Sequence, residues 1–248
     1  MSENQNIENP LNQMAKCILP LLSIRKSDAE QAEMVSQLLF GEEVIVLKKN
    51  KKWSKIKLLY DNYEGWVDNK GIQSIDKPRS TTPTIVNELW HSVTLENNRQ
   101  LIVPAGAELE NHTSTDDQNE ALETKILNSA KMFLGIPYLW GGRSTFGIDC
   151  SGLVQTVFKM NGIALPRDAR DQVLHGENVE FIDNIKPCDL IFFGEPDGNI
   201  THVGMAIGDG KIIHASGMVQ IDLINHQGIF NPETQKYTHA LRLIKRLL

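Results

Sequence analysis

From residue 121 onward the apolar positions fall into two successive rhythms. Leu122, Ile126, Leu127, Ala130, Phe133 and Leu134 recur at helical spacing. Gly135 and Pro137 stop that helix, and a second is predicted from about Ser151 to Met160, ending at Asn161-Gly162. The runs "DLIFFGE", "THVGMAIG", "KIIHASG", "VQIDLI" and "THALRLIKRL" that follow are short, apolar and rich in β-branched residues, and read as strands. One or two helices followed by a run of antiparallel strands predict an α+β fold.

The front of the chain has a different texture. Residues 14–77 hold "EEVIVLKKN" and "WSKIKLLYD", β-prone runs of the kind that make hairpins, and then "NYEGWVD", a turn leading into a strand. "DKPRSTTPT" is a Pro/Ser/Thr linker. Residues 78–120 carry further strand-like pieces such as "RQLIVPAGAEL" and end in the polar stretch "NHTSTDDQNE". They are short for an independent domain and read as a β linker or a remnant second module. Three segments are therefore expected: a small β domain over 14–77, the linker or remnant over 78–120, and the main domain over 121–248.

Composition narrows the function classes. The chain has 248 residues, 41% hydrophobic and 23% charged, the balance of an ordinary globular protein. A net charge of -6 disfavours a nucleic-acid partner. No run of about 18 apolar residues occurs, so no membrane span is expected. The opening "MSENQNIENPLNQ" has neither a basic nor an apolar signal region, and the expectation is a cytoplasmic protein. Three cysteines, Cys17, Cys150 and Cys188, form no Cys-x-x-Cys pair, so neither a zinc site nor any other metal or cofactor is expected.

Cys150, in "FGIDCSGLV", stands at the predicted start of the second helix, where free N–H groups and the helix dipole favour a thiolate and a lowered pKa. A buried structural cysteine is the commoner fate of a free thiol, so Cys150 alone decides nothing. His202 and His214 change the balance. They flank a turn at Gly208-Asp209-Gly210. A two-residue loop would set them on opposite faces. A three-residue loop with a left-handed glycine pairs Ile207 with Lys211, sets Gly204 opposite His214, and makes the histidines a diagonal pair roughly 7–8 Å apart at Cα. That loop is the prediction. His202 is then the base for Cys150 and His214 the group that orients it. His91, His112, His175, His226 and His239 have no comparable partner pattern and are read as surface residues. In "YLWGG", Tyr138 and Trp140 are either core aromatics or cleft walls, the Tyr138 hydroxyl in the second case aiding an oxyanion.

These motifs carry a resemblance. "PYLWGG", "GIDCSGLV", "LPRDA", "KPCDLIFF", "HVGMAIGDGKIIHAS" and "HALRLIKR", in that order over residues 121–248, resemble the NlpC/P60 cysteine peptidases. "MVSQLLFGEEV" and "YEGWV" in front resemble a bacterial SH3 domain. The resemblance implies a papain-like catalytic domain preceded by a small SH3-like β-barrel. It implies hydrolysis of the bond between γ-D-glutamate and a diamino acid, meso-diaminopimelate or lysine, in murein peptides with a free N-terminal L-Ala. It also implies that Cys150 is the nucleophile, His202 the base and His214 the third polar member, with Tyr138 beside the centre and Trp140, Asp149 and Ser151 lining the substrate. The SH3-like module would close one cleft end, where an ammonium needs a carboxylate and a hydroxyl, and Glu33 and Tyr63 are the candidates by position. Ala169 and Thr201 depart from the pattern: relatives often carry a substrate-contacting serine at the first and a histidine at the second.

The expected function is accordingly a cysteine peptidase in cell-wall peptide recycling, partnered by a murein-derived peptide and favoured as a monomer. The alternatives are a hydrolase of intact peptidoglycan stems, a non-catalytic wall-binding protein, and a papain-like amidase or acyltransferase acting on lipids. The complete Cys150, His202 and His214 set argues against a non-catalytic protein, and the absence of an apolar span against the lipid-directed one.

Overall fold

The computed structural model describes residues 12–110, 120–195, 198–231 and 234–248. His112 therefore lies outside the described residues, as does most of the polar stretch around it.

The front module is an antiparallel sheet of seven strands: β1 (Gln13–Cys17), β2 (Leu21–Arg25), β3 (Met34–Leu39), β4 (Glu43–Lys49), β5 (Trp53–Leu58), β6 (Glu64–Asp68) and β7 (Ile72–Ser74), in the order β3-β2-β6-β5-β4-β1-β7. The two expected strands pair as the β4–β5 hairpin, with Val44 opposite Leu58 and Val46 opposite Ile56. Those residues, with Ile24, Leu38 and Val67, fill the module's core, because alternate side chains of each strand face inward.

The middle stretch forms two small ladders. β9 (Trp90–Thr94) pairs with β10 (Gln100–Pro104), and β8 (Thr84–Ile85) with β11 (Glu108–Leu109). Val86, Leu101, Val103, Ala107 and Leu109 pack with Leu39 of β3, so this stretch rests on the front module.

The remainder is α+β. Helix α1 (Leu122–Met132) buries Ile126, Ser129 and Ala130. A tight coil with the short strands β12 (Arg143–Ser144) and β13 (Gly147–Ile148) leads to α2 (Cys150–Met160), which begins one residue earlier than expected. The four-residue α3 (Ala169–Gln172) and β14 (Glu177–Asn178) follow. Then come β15 (Leu190–Gly194), β16 (Ile200–Gly208), β17 (Lys211–Ser216), β18 (Met218–Asn225), β19 (Gly228–Asn231) and β20 (Lys236–Arg246). The sheet order is β14-β20-β15-β16-β17-β18-β19, and β19 also pairs with β20, so six strands close on themselves. One face, with Leu190, Phe192, Val203, Met205, Ile213 and Ala215, packs on α1 and α2. The other, with Ile191, Phe193, Ala206, Ile212, Ile224, Ile229 and Ile244, fills the ring.

Every residue of α2 is buried, including Gln155 and Lys159. The polar side chains are tolerated because the front module and the middle ladders supply partners. Lys159 Nζ lies 2.7 Å from Glu42 and 2.9 Å from Glu108, and Gln155 donates to Asp61 at 2.8 Å. Arg143, fully buried, meets Glu42 at 2.9 Å, and its main-chain N–H donates to Gln37 at 2.8 Å. Arg79 joins Glu108 at 2.8 Å and Glu43 at 3.3 Å. Burial alone would raise the pKa of Glu42, but Arg143 and Lys159 outweigh it and hold the carboxyl below its usual range.

This network predicts a contrast between two acids. Glu42→Ala strips Arg143 of the carboxylate it faces and should cost about 3–5 kcal/mol in denaturant unfolding. Glu64→Ala removes the half-exposed pair with Lys55 and should cost no more than about 1 kcal/mol. Equal costs would contradict the assignment of Glu42 as the interdomain anchor.

Candidate active site

Cys150 is the first residue of α2. Asp149 caps that helix, its Oδ1 accepting from the Gly152 N–H at 2.7 Å. Asp149 is itself held from two sides. Arg167 donates to both carboxylate oxygens, at 3.0 and 2.6 Å, and the Gly141 N–H donates to Oδ2 at 2.9 Å. Arg167 also donates to Ser151 Oγ at 2.9 Å and to Ser36 of the front module at 3.1 Å. Asp149 and Ser151, expected to line the substrate, thus lie in the cleft wall with much of their hydrogen-bonding capacity taken up by the fold. Arg167 was passed over in the sequence, and its one signal is a charge next to the proline of "LPRDA".

The coil carrying Tyr138 and Trp140 is pressed onto β3. Gly141 has φ +76°, and a Cβ there would sit 2.5 Å from the Met34 carbonyl oxygen, so the close approach requires glycine. Tyr138 is half-buried against Cys150, and burial, with the charge of a Cys150 thiolate and then Asp149 adding to it, pushes its phenol up to about 12. Its hydroxyl is therefore a donor at neutral pH. Trp140 is exposed, and its indole N–H donates to Glu33 Oε1 at 2.9 Å.

His202 and His214 meet as expected on β16 and β17, with His202 Nε2 2.8 Å from His214 Nδ1 and both rings buried. The turn that aligns them differs from the expectation. Asp209 and Gly210 form a two-residue loop, both at positive φ, that closes a Gly208–Lys211 pair. A bulge between Ala206 and Gly208 then restores the frame, so that Ala206 pairs with Ile212 and Met205 with Ile213. The extra residue sits in the strand and not in the loop, and the two histidines still share a face. A Cβ on Gly204 would come within 2.9 Å of His214 Cβ, so glycine makes the room beside that ring.

Cys150 lies beside this pair. Its sulfur is hydrogen-bonded by the main chains of Val203, the residue after His202, and Ser151. The expected depression of its pKa is not what the structure gives. Burial, then the neighbouring Asp149, outweigh those hydrogen bonds and push the thiol from 9.0 up to about 11. Burial, with His239 and His214 nearby, drives His202 well below 6.5. The resting pair is a neutral thiol and a neutral imidazole.

Two further residues complete the cluster. His214 Nε2 lies 2.9 Å from Asp222 Oδ2 on β18. His239, read from sequence as a surface residue, is half-buried on β20 and stacks on His202 with ring centroids 4.2 Å apart. Its place depends on the ring closing through β20, which no local pattern announces. Asp222 had a weak signal, as a polar residue alternating with apolar ones in "VQIDLI". His175 and His226 are exposed, and His91 pairs with Glu88 away from the cluster.

The cleft beside Cys150 has a volume of about 630 Å³. Tyr138, Cys150 and Ala169 lie along it, and Glu33, Tyr63 and Asp168 also line it. Glu33 is exposed and touches Lys26 at 3.5 Å as well as Trp140. Tyr63 is half-buried and pushed up to about 12 by burial and by Asp168. Asp168 was not singled out from the sequence. Burial raises its pKa against the pull of Arg167 and Arg170. Both departures noted in the sequence, Ala169 and Thr201, are on the cleft surface.

Comparison with known proteins bears on the family and the fold. Residues 135–242 match the NlpC/P60 family, and residues 24–72 match the bacterial dipeptidyl-peptidase Sh3 domain. The chain is similar to a gamma-D-glutamyl-L-lysine dipeptidyl-peptidase of Bacillus cereus, 31% identical over 86% of this chain and 76% of the relative. It is similar to a protein of the same name in Bacillus subtilis, 46% identical over 40% of this chain and 33% of that one. In fold it is similar to the crystal structure of an NlpC/P60 family protein from Bacillus cereus, with a TM-score of 0.78 and 23% identity, over 95% of this chain and 99% of the other.

The neutral resting pair is directly testable. Thiolate absorbance lost in Cys150→Ala should appear in the native protein only on the alkaline side of 9.0, toward about 11. A thiolate signal from Cys150 at neutral pH would show a preformed ion pair and contradict the assignment.

Proposed function

The chain belongs to the NlpC/P60 family of cysteine peptidases, and we propose that it hydrolyses the bond between γ-D-glutamate and a diamino acid in murein-derived peptides that carry a free N-terminal L-alanine. Cys150 is the nucleophile in this reading, His202 the base and His214 the residue that orients it. The observation that carries it is the shape of the cleft. The front module brings Glu33 and Tyr63 into the same wall as Cys150 and Tyr138, and Asp168 joins them.

The chemistry follows from the groups present. With His202 Nε2 engaged by His214, Nδ1 is the nitrogen that takes the thiol proton as sulfur attacks the γ-carbonyl carbon. The carbonyl oxygen gains negative charge, and in this reading the Tyr138 hydroxyl, held protonated, is the group that donates to it. As the carbon–nitrogen bond breaks, His202 returns the proton to the departing amine of the diamino acid. Water then attacks the thioester, His202 taking its proton, and the dipeptide leaves as Cys150 recovers its own.

At the far end a peptide ammonium would meet the carboxylates of Glu33 and Asp168 and the Tyr63 hydroxyl. An intact stem has no ammonium there, because its alanine nitrogen is acylated. This supports released peptides as substrates, and with them a role in recycling. The names of the Bacillus relatives support the same bond class.

The test is mass-spectrometric cleavage of L-Ala-γ-D-Glu-meso-diaminopimelate beside its N-acetylated form. Only the free-amine peptide should be cut, and Cys150→Ala should cut neither. Glu33→Ala should raise KM for the free-amine peptide by roughly 10- to 100-fold, the scale of a lost hydrogen bond to a charged group. Equal cleavage of both peptides by the native protein would overturn the closed-end reading in favour of an open-cleft wall hydrolase.

A further inference from the structure

A neutral imidazole has one N–H, so in a hydrogen-bonded row of imidazoles the first partner fixes the tautomer of every ring behind it. His214 sits in such a row. Its Nδ1 faces His202 Nε2 at 2.8 Å and its Nε2 faces Asp222 Oδ2 at 2.9 Å. Oδ2 also accepts from the Gln220 side-chain amide at 2.9 Å, which marks it as the acceptor. His214 therefore carries its proton on Nε2 and offers a lone pair at Nδ1. His202 must donate to that lone pair from Nε2, which leaves its own Nδ1 unprotonated. Without Asp222 the row could run the other way. His214 would then donate from Nδ1, and His202 would present an N–H to Cys150 where a base is required.

We propose that Asp222 is a positioning residue that, through His214, sets the tautomer of His202 and so creates the base that Cys150 needs. The inference rests on the reading of Cys150 and His202 as nucleophile and base. Asp222 touches neither the sulfur nor the substrate and acts only through the two rings. Its carboxylate lies on β18, across β17 from His202 on β16, in a sheet whose register places His214 opposite Gln220 and Ile212 opposite Asp222. Asp222 is thus diagonal to His214 on the same face. The stacked His239 ring covers the face of His202 and leaves in-plane hydrogen bonding as the way the two imidazoles communicate.

The experiment is nitrogen NMR of isotope-labelled histidine in the full chain at neutral pH, with kinetics on the free-amine peptide. In the native protein His202 should be protonated at Nε2 and bare at Nδ1. A native His202 protonated at Nδ1 overturns the proposal without any variant. Asp222→Leu removes the acceptor at similar volume. It should shift His202 toward the Nδ1–H form and lower kcat by roughly 10- to 10⁴-fold, between the loss of a group that orients an imidazole and the wrong tautomer itself, with KM nearly unchanged. Asp222→Asn keeps an acceptor oxygen for Gln220 and His214 and should restore most of kcat together with the native tautomer. A folded Asp222→Leu protein with native tautomer, or with full kcat despite an altered one, overturns the proposal. Retained turnover in Cys150→Ala would instead sink the reading of the nucleophile, while the NMR result would still report on Asp222.

Discussion

The buried contact of Glu42 with Arg143 and Lys159 is the constraint on which the rest of the arrangement depends. An isolated buried charge costs several kcal/mol, so three such groups from two parts of the chain lock those parts into one relative placement. Glu108 and Arg79 extend the lock into the middle ladders, and Arg167 extends it toward Asp149 and the start of α2. The consequence reaches the chemistry directly. Arg143 lies in the coil between Trp140 and Cys150, so anchoring it fixes the loop that shapes one cleft wall. The front module is then part of that wall, since Glu33 and Tyr63 reach the cleft only because β3 and the β5–β6 turn are docked on this coil.

Much of this order was readable from spacing. Helix α1, helix α2, the β4–β5 hairpin and strands β15 to β18 and β20 follow from periodicity and turn signals, because burial of one face writes itself into local alternation. The same-face placement of His202 and His214 followed from parity, although the extra residue proved to lie in the strand at Ile207. What local pattern does not carry is the meeting of distant charges. Glu42 and Lys159 are far apart in the chain, and in "FGEEV" and "VFKMN" each looks like a solvated side chain. Asp222 joins His214 through the β17–β18 register, which no single strand announces, and His239 meets His202 only when the sheet closes through β19 and β20.

Burial also sets the electrical state of the site, against the simplest local rule. A helix start favours a thiolate, yet a dipole end acts over the first turn and is worth about a kcal/mol, less than the desolvation of a buried sulfur beside a carboxylate. The same effect lowers His202, so burial favours the neutral form of both groups. Such a pair protects a single reactive cysteine from alkylation and oxidation between turnovers, because the thiolate is the reactive species. It also makes the orientation of His202 decisive, since a neutral ring has one basic nitrogen and not two.

In the proposed function, the docked front module turns an open peptidase groove into a cleft with a closed, amine-binding end. The most direct measurement is a crystal structure of Cys150→Ala with L-Ala-γ-D-Glu-meso-diaminopimelate bound. The alanine ammonium should lie against Glu33, Tyr63 and Asp168, with the γ-carbonyl carbon facing the position of the missing sulfur. A peptide running the other way, or one whose amino end passes beyond the front module into solvent, would contradict it.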